Sequence, residues 1–254
     1  MEQDLSFLDP TGHRVAAVLS TPPHDTNRIA ILCHGFLSGK RSTTNRTLTR
    51  LLNEQGIATF AFDFFGQGDS DGPFDALTTT TAVAQANAAL DLVRQKGFAR
   101  LGLMGSSFGG LVAILTAAQR QDLACLALKC PVVDFAEELR LTLGDTEMVR
   151  WKATDTIPNI MGGTERIGLR YAFYEDNLHH IGYDPARAIT APTLIVQGDQ
   201  DECVPLHQSR ELAAALTCPK RMELLAGADH QFTKGPDFQR MTTLITEWLT
   251  AHLS

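Results

Sequence analysis

The chain has 254 residues, 44% of them hydrophobic and 20% charged, which is enough apolar sequence to bury a large core. Its formal net charge of −7 and pI near 5.6 argue against a nucleic-acid partner, because binding to a phosphate backbone needs clustered Lys and Arg. No apolar run is long enough to span a bilayer, so we expect no membrane partner.

The first ten residues, MEQDLSFLDP, are acidic and lack the basic start and apolar centre of a secretory signal. The five cysteines show no CxxC spacing, and three of them lie in or beside apolar runs. We therefore expect reduced, mostly buried thiols and a cytoplasmic protein. The oligomeric state stays open, with a homodimer among the alternatives.

Two short runs near the start, Leu5 to Leu8 and Arg14 to Ser20, flank the turn-rich sequence DPTGH. They predict an antiparallel hairpin at the edge of a sheet. Six further β-rich runs predict central strands. These runs are Arg28 to His34, Ile57 to Phe64, Arg100 to Met104, Cys125 to Val133, Thr193 to Gln197 and Met222 to Leu225.

Stretches of helix length separate most of these runs. They are Ser42 to Gln55, Thr78 to Lys96, Ser107 to Gln119, His207 to Leu216 and Phe238 to Leu253. Strands that alternate with helices favour an α/β fold, in which a mostly parallel central sheet has helices on both faces.

The alternation breaks between Asp134 and about Ala188, where the chain is polar and helical and contains Gly162-Gly163. Pro192 then precedes the next strand. This stretch is too long for an ordinary connection. We predict a core domain formed by residues 1–133 and 189–254, with residues 134–188 inserted as a small cap over the sheet.

The segment Gly105-Ser106-Ser107-Phe108-Gly109 fits G-x-S-x-G and lies where a predicted strand passes into a helix. In that context the motif indicates a nucleophile elbow, a tight turn that lifts the central serine above the sheet. Glycines are needed on both sides because a side chain there would collide with neighbouring elements. Ser107 is therefore the candidate nucleophile, at a helix N-terminus that favours negative charge.

A serine hydroxyl needs a histidine base and a carboxylate to orient that base. Asp201 follows one late strand and His230 follows the last, so the three residues occur in the chain order Ser, Asp, His. Asp201 is preferred to Asp199 because Val204-Pro205 follow it at the usual spacing. Asp134 also follows a strand and remains an alternative source of the carboxylate.

The elbow motif also implies a pocket for the oxyanion of a tetrahedral intermediate. One backbone N–H comes from the residue after the nucleophile, here Phe108, and the other from the loop after the third strand. That loop begins His34-Gly35-Phe36, so Phe36 is the candidate for the second donor. His34 itself is expected to pack and position the loop.

These motifs together resemble the α/β-hydrolase superfamily, and the resemblance covers essentially the whole chain. HGF, GSSFGG, GDQDECVP and GADHQF carry it. Among its members the chain is most similar to small capped carboxylesterases such as cinnamoyl and feruloyl esterases, which often have His and Gln where Ser106 and Phe108 stand. The loop DFFGQGDSDG has Phe65 where arginine is usual in the family, which is expected to alter packing under the site.

The resemblance implies a serine esterase that forms an acyl-enzyme on a small-molecule ester, possible substrates being hydroxycinnamoyl or short-chain acyl esters. It needs no cofactor. Thioesterase and acyl-peptide hydrolase activities remain alternatives, as does a non-catalytic binding protein of the same fold. No metal is expected, because the adjacent His179 and His180 have no third ligand at useful spacing.

Several residues of the predicted cap are candidates for substrate binding. The aromatic ones could line an acyl or aryl pocket, or instead form the core of the cap, and the acidic ones could bind a polar substituent. The aromatic candidates are Trp151, Tyr171, Phe173 and Tyr174, and the acidic ones are Asp145 and Glu147.

Overall fold

The computed structural model describes residues 1–157, 159–160 and 167–254. Its central feature is an eight-stranded sheet in the order β1-β2-β4-β3-β5-β6-β9-β10. The strands are β1 (Glu2–Leu8), β2 (Arg14–Ser20), β3 (Arg28–Cys33), β4 (Ala58–Phe62), β5 (Arg100–Ser106), β6 (Leu123–Lys129), β9 (Thr193–Gly198) and β10 (Lys220–Leu225). A separate two-stranded ribbon consists of β7 (Thr156–Ile157) and β8 (Leu169–Arg170).

The sheet is parallel except at one edge, where β1 pairs with β2 and β2 with β4 in the antiparallel sense. The parallel strands β3, β5 and β6 form its middle. Their buried residues are almost all apolar, as expected for strands covered on both faces. Because parallel strands end at the same edge, the loops after β3, β5, β6, β9 and β10 meet above it.

Helices cover both faces of the sheet. They are α1 (Thr43–Glu54), α2 (Thr79–Gln95), α3 (Phe108–Ala118), α4 (Phe135–Thr154), α5 (Tyr171–Asn177), α6 (Tyr183–Ala186), α7 (Leu206–Ala215) and α8 (Gly235–Leu253). Helices α1 and α8 pack on one face, and α2, α3 and α7 on the other. Among the described residues, no helix combines the length and the apolar character needed to cross a membrane. The predicted fold class is confirmed.

The predicted strands and core helices all form, with shifted ends. The strand β1 begins at Glu2 rather than Leu5, since an exposed edge strand does not need the apolar residues that the prediction relied on. The strand β6 begins at Leu123 and ends at Lys129, so the predicted end at Val133 is wrong. It stops there because Cys130 takes a positive φ of 41°, which leaves the extended conformation.

Residues 134–188, predicted to be a cap, contain α4, β7, β8, α5 and α6. The Asp134 side chain caps α4 by accepting a hydrogen bond from the Glu137 N–H at 2.8 Å. Gly144 interrupts α4 with a φ of 71°. The pair Gly162-Gly163 lies outside the described residues, and the domain boundaries stay a prediction.

The elbow between β5 and α3 leaves no room for side chains beside the candidate nucleophile. A Cβ on Gly105 would overlap the carbonyl of Gly109, and a Cβ on Gly109 would overlap the carbonyl oxygens of Cys33 and His34. Since the obstacles are backbone atoms, no side-chain rotation relieves the clash. The close approach of α3 to the end of β3 therefore depends on glycine.

We expect Gly109→Ala to lower the free energy of unfolding by about 1–3 kcal/mol or more, because backbone must move to admit the methyl group. Gly235→Ala is the matched control, since a Cβ on Gly235 meets no atom within 4 Å among the described residues. Urea denaturation of both variants measures the effect. Equal stabilities for the two variants would show that the elbow is not closely packed.

Candidate active site

The loops at the carboxyl edge of the sheet bring the three predicted catalytic residues together. Ser107 connects β5 to α3, Asp201 follows β9, and His230 follows β10. The Ser107 Oγ lies 3.1 Å from Nε2 of His230, and Nδ1 of His230 lies 2.9 and 3.0 Å from the two carboxylate oxygens of Asp201. The side chains thus form one hydrogen-bonded chain.

The arrangement defines the direction of the hydrogen bonds. A carboxylate can only accept, so Nδ1 of His230 donates to Asp201 and the neutral ring leaves the Nε2 lone pair facing the Ser107 hydroxyl. An imidazole placed in this way can take the hydroxyl proton. His230 is 4% exposed, so its ring is shielded from bulk water.

Asp201 is held by its own loop as well as by His230. One carboxylate oxygen accepts the backbone N–H groups of Cys203 and Val204 at 3.0 and 2.8 Å, and the other accepts the Gln197 side-chain amide at 3.2 Å. Burial raises the pKa of Asp201, but hydrogen bonds from His230, Val204 and Cys130 outweigh it, so the pKa lies below its usual value. The carboxylate therefore stays ionised beside the imidazole.

The alternative carboxylates have other partners. Asp134 caps α4, and Asp199 accepts the Gly227 N–H at 2.7 Å in the turn after β9. Asp229 accepts the Thr233 N–H at 2.9 Å. None of the three forms a hydrogen bond with His230 among the described residues.

The loop after β3 lies beside Ser107, as the oxyanion-hole prediction requires. A Cβ on Gly35 would lie 3.4 Å from the Ser107 Cβ, so the two backbones are close. The backbone N–H groups of Phe36 and Phe108 have no hydrogen-bond acceptor among the described residues. Two free donors thus lie on the segments that flank the candidate nucleophile, although their role as an oxyanion hole stays a prediction.

His34 holds the loop after β3 in place. Its Nε2 accepts the Phe64 N–H at 3.1 Å, so Nδ1 carries the proton and donates to the Gly35 carbonyl at 2.7 Å. Burial lowers the pKa of His34, which keeps the ring neutral in this role. The loop is also packed by the Phe36 ring, whose centroid lies 6.0 Å from that of Phe108 and 5.5 Å from that of Phe135.

A buried ion pair beneath this loop did not emerge from the sequence. The Lys40 ammonium lies 2.5 Å from the carboxylate of Asp63, which is 1% exposed, and 2.5 Å from that of Asp69. The Lys40 N–H also donates to Asp63 at 2.6 Å. The sequence feature that could have revealed this pair is Asp63, directly after β4, because a charge at the end of a buried strand needs a partner.

Phe65, at the usual arginine position, is buried, and its ring centroid lies 4.8 Å from that of His13.

Ser107 and His230 open into a cavity of about 780 Å³. Residues 134–188 contribute both apolar and polar members to its lining, the polar ones being Glu138 and Thr142 and the apolar ones Phe135, Leu139 and Ile160. Val132 and Val204 are further apolar lining residues. The lining also includes Ser42, Thr43, Thr44, Gln231, Phe232, Thr233, Gly235 and Phe238.

The residues predicted to bind substrate lie elsewhere. Within the described part of the chain, none of Trp151, Tyr171, Tyr174, Phe173, Asp145 and Glu147 lines the cavity. Trp151 is 1% exposed and donates its indole N–H to the Leu169 carbonyl at 2.8 Å, and its ring packs against Tyr171 and Tyr174. These three rings thus pack together within the 134–188 segment, the second of the two alternatives, whereas Phe173 packs against Phe36, Phe108 and Phe135.

Glu138 is a cavity residue that sequence reasoning missed. Burial raises its pKa to about 8, and the nearby charge of Asp201 adds to the rise, although a hydrogen bond with Thr142 opposes it. Its Oε2 atom is buried and has no hydrogen-bond partner among the described residues. A neutral carboxyl group with an unused oxygen thus belongs to a residue of the cavity lining.

One group of side chains within the described ranges has the geometry to hold a cation. Single ligand atoms of Cys130, Asp201 and His230 all lie within 4.8 Å of one another. The imidazole already donates a hydrogen bond to the carboxylate, and the protonated thiol lies within 4.8 Å of both groups. A cation there would displace the protons that orient His230.

The family model Hydrolase_4, described as serine aminopeptidase S33, matches residues 24–172, which is more than half of the chain. The chain belongs to this family. It is a serine hydrolase of the α/β-hydrolase fold, as predicted from its motifs.

Relatives of this Hydrolase_4 chain carry several hydrolase names. A monoacylglycerol lipase of Mycolicibacterium smegmatis is 22% identical, with 98% of this chain and 97% of the relative covered. The mitochondrial palmitoyl-protein thioesterase ABHD10 of Mus musculus is 22% identical over 85% of this chain and 73% of its own. The structure of Est1E from Butyrivibrio proteoclasticus with bound ferulic acid has a TM-score of 0.86 at 24% identity, covering 98% of this chain and 99% of that one. This structural likeness shows the fold.

The raised pKa of Glu138 predicts a pH-dependent stability. An unfolded glutamate loses its proton near its ordinary pKa of 4.5, whereas the folded protein keeps the proton up to about pH 8. The free energy of unfolding therefore falls as the pH rises through this window, and Glu138→Gln removes that fall. We expect the difference in Tm, variant minus wild type, to increase from acid pH to above pH 8.

Glu147→Gln on the same helix is the control, because Glu147 is 44% exposed and faces Arg150 at 3.7 Å. Thermal melts of both variants at several pH values measure the difference. A Tm difference for Glu138→Gln that is independent of pH would contradict a buried, neutral carboxyl group.

Proposed function

We propose that this protein is a serine carboxylic-ester hydrolase that works through an acyl-enzyme intermediate on Ser107. The observation that carries the proposal is the continuous hydrogen-bonded chain from Ser107 through His230 to Asp201, which opens into a large cavity. A non-catalytic protein of the same fold would have no need to keep all three groups in this geometry.

In the acylation step, His230 takes the proton of the Ser107 hydroxyl as Oγ attacks the ester carbonyl carbon. The negative charge that forms on the carbonyl oxygen is stabilised by the N–H groups of Phe36 and Phe108. When the tetrahedral intermediate collapses, the bond to the alcohol oxygen breaks and His230 returns its proton to the departing alkoxide. The acyl group is then attached to Ser107.

Deacylation repeats these steps with water. His230 takes a proton from a water molecule, whose oxygen attacks the acyl carbon, and the Ser107 Oγ leaves with that proton. Asp201 keeps the imidazole in the required tautomer and stabilises its protonated form in both steps. Every proton moves between residues of this chain, substrate and water, so the reaction requires no cofactor.

The cavity favours an ester with an apolar acyl group. Its lining residues from the 134–188 segment, which we propose forms a cap, are apolar apart from Glu138 and Thr142. A hydroxyl substituent on the acyl group would find a partner in the unused Glu138 oxygen, which is consistent with hydroxycinnamoyl esters. Glu138 thus replaces Asp145 as the candidate for binding a polar substituent.

Two further activities have specific support. The name of the matched family points to a peptidase, and the name of the ABHD10 relative points to a thioesterase. Both use the same nucleophile and oxyanion site and differ in the group that leaves. The five free cysteines support a reducing, cytoplasmic location.

We expect the protein to hydrolyse p-nitrophenyl acetate and butyrate, and Ser107→Ala to lower kcat about 10⁴-fold or more, because the nucleophile is lost. Ser209→Ala is the control, since Ser209 is a buried serine of α7 that does not line the cavity. Release of p-nitrophenol measures both rates. A Ser107→Ala enzyme as fast as the control would reject the assignment.

The same assay with a substrate panel separates the three activities. The panel comprises short-chain acyl esters, methyl hydroxycinnamates, an acyl thioester and an aminoacyl p-nitroanilide. We expect the highest kcat/KM with one of the oxygen esters. A clear preference for the thioester or the anilide would replace the esterase assignment with thioesterase or peptidase.

A further inference from the structure

The last residue of β6, Lys129, and the residue after it, Cys130, lie against all three residues of the proposed triad. The Ser107 N–H donates to the Lys129 carbonyl at 2.9 Å, and the Lys129 ammonium donates to the His230 carbonyl at 2.9 Å. The Cys130 sulfur lies within 4.8 Å of a carboxylate oxygen of Asp201, and the thiol contributes to the lowered pKa of that carboxylate. One dipeptide therefore lies against the candidate nucleophile, the base and the acid.

Lys129 occupies a place where an apolar residue would pack more simply. It is 3% exposed, and no carboxylate of the described residues lies within 4 Å of its ammonium group. Its neighbours are the His230 carbonyl and the ring of Phe232, whose centroid is 5.3 Å from Nζ. A buried cation without a paired anion costs stability. Packing alone thus does not account for a lysine at this position.

Cys130 is aimed at Asp201 by an uncommon backbone conformation. Its φ is 41°, and its N–H donates to the Val196 carbonyl of the neighbouring strand at 2.8 Å. The sulfur, one carboxylate oxygen of Asp201 and one ring nitrogen of His230 lie within 4.8 Å of one another. Burial raises the pKa of the Cys130 thiol, so the sulfur keeps its proton and has a donor to offer the carboxylate.

We propose that Lys129 and Cys130 are positioning residues of the hydrolytic site. Cys130 orients the Asp201 carboxylate, and Lys129 fixes the backbone of His230. The positive charge of Lys129 also disfavours additional positive charge on the imidazole. Neither residue reacts with substrate. The inference rests on the proposed function, because it assigns roles relative to the Ser107, His230 and Asp201 chain.

Both contacts disfavour additional positive charge near His230. The thiol helps to hold the pKa of the Asp201 carboxyl below its usual value, and the Lys129 ammonium group places a positive charge against the His230 backbone. The other titratable groups that face this pair are Glu202, whose carboxylate accepts the His230 N–H at 3.1 Å, together with Glu138 and Cys203 near Asp201. These groups stay in place when Lys129 or Cys130 is replaced.

The test measures kcat and KM for p-nitrophenyl butyrate across the acid limb of the pH profile. We expect Cys130→Ala to lower kcat about tenfold with little change in KM, since a hydrogen bond to a charged group is lost. The pH of half-maximal kcat/KM should rise by about half a unit. Cys130→Ser keeps a donor and should restore most of both properties.

Cys125→Ala is the matched control, because Cys125 is a buried residue of β6, belongs to the same core cluster as Cys130 and has no contact with the triad among the described residues. It should keep the wild-type pH profile even if its Tm falls. A Cys130→Ala protein that folds and keeps the wild-type profile would overturn the role of the thiol.

Lys129→Met tests the contact between Lys129 and His230 independently of the contact between Cys130 and Asp201. Methionine has a similar length and no charge, so we expect Tm to be unchanged or higher, kcat to fall about tenfold and the acid midpoint to rise. Unchanged kcat and midpoint would overturn the role of Lys129. If Cys130→Ala does not fold, Cys130→Ser and Lys129→Met decide the inference. Failure of the proposed function is separate, because it appears as activity retained by Ser107→Ala.

Discussion

Ser107 has a left-handed backbone conformation, φ 53° and ψ −116°, and the rest of the site depends on keeping it there. A non-glycine residue adopts such angles only when its surroundings impose them. Here the Ser107 N–H is held by the Lys129 carbonyl, and its carbonyl accepts N–H groups of Gly110 and Val132 at 2.8 and 3.1 Å. These bonds place Oγ at the carboxyl edge of the sheet, where His230 reaches it.

The strained turn also explains why the surrounding elements are so closely packed. Gly105 and Gly109 let α3 approach β3 and β5, and this approach brings Gly35 against Ser107. The Lys40 and Asp63 pair then supports the same loop from below. The close packing at this edge of the sheet thus fixes the geometry of the site at a cost in stability.

The strands and helices that a hydrophobic pattern defines could be predicted from the sequence. The convergence of Ser107, Asp201 and His230 could be predicted as well, because strand order alone places these three residues at one edge of the sheet. The structure of residues 134–188 was less predictable. An aromatic residue at helical spacing suits a substrate pocket or a helix interior equally well, and only packing shows that Trp151 is interior. The hydrogen bonds of Lys129 lay beyond sequence reasoning because they join loops distant in the chain, although a lysine ending an apolar strand was a visible signal.

The central claim is that the Ser107 Oγ is a nucleophile activated by His230. The most direct measurement is mass spectrometry of the protein after reaction with a fluorophosphonate, which forms a stable covalent adduct with an activated serine. The account predicts one adduct, located on Ser107, that is lost or greatly slowed in His230→Ala. Labelling of another serine, or labelling of Ser107 at an equal rate without His230, would contradict it.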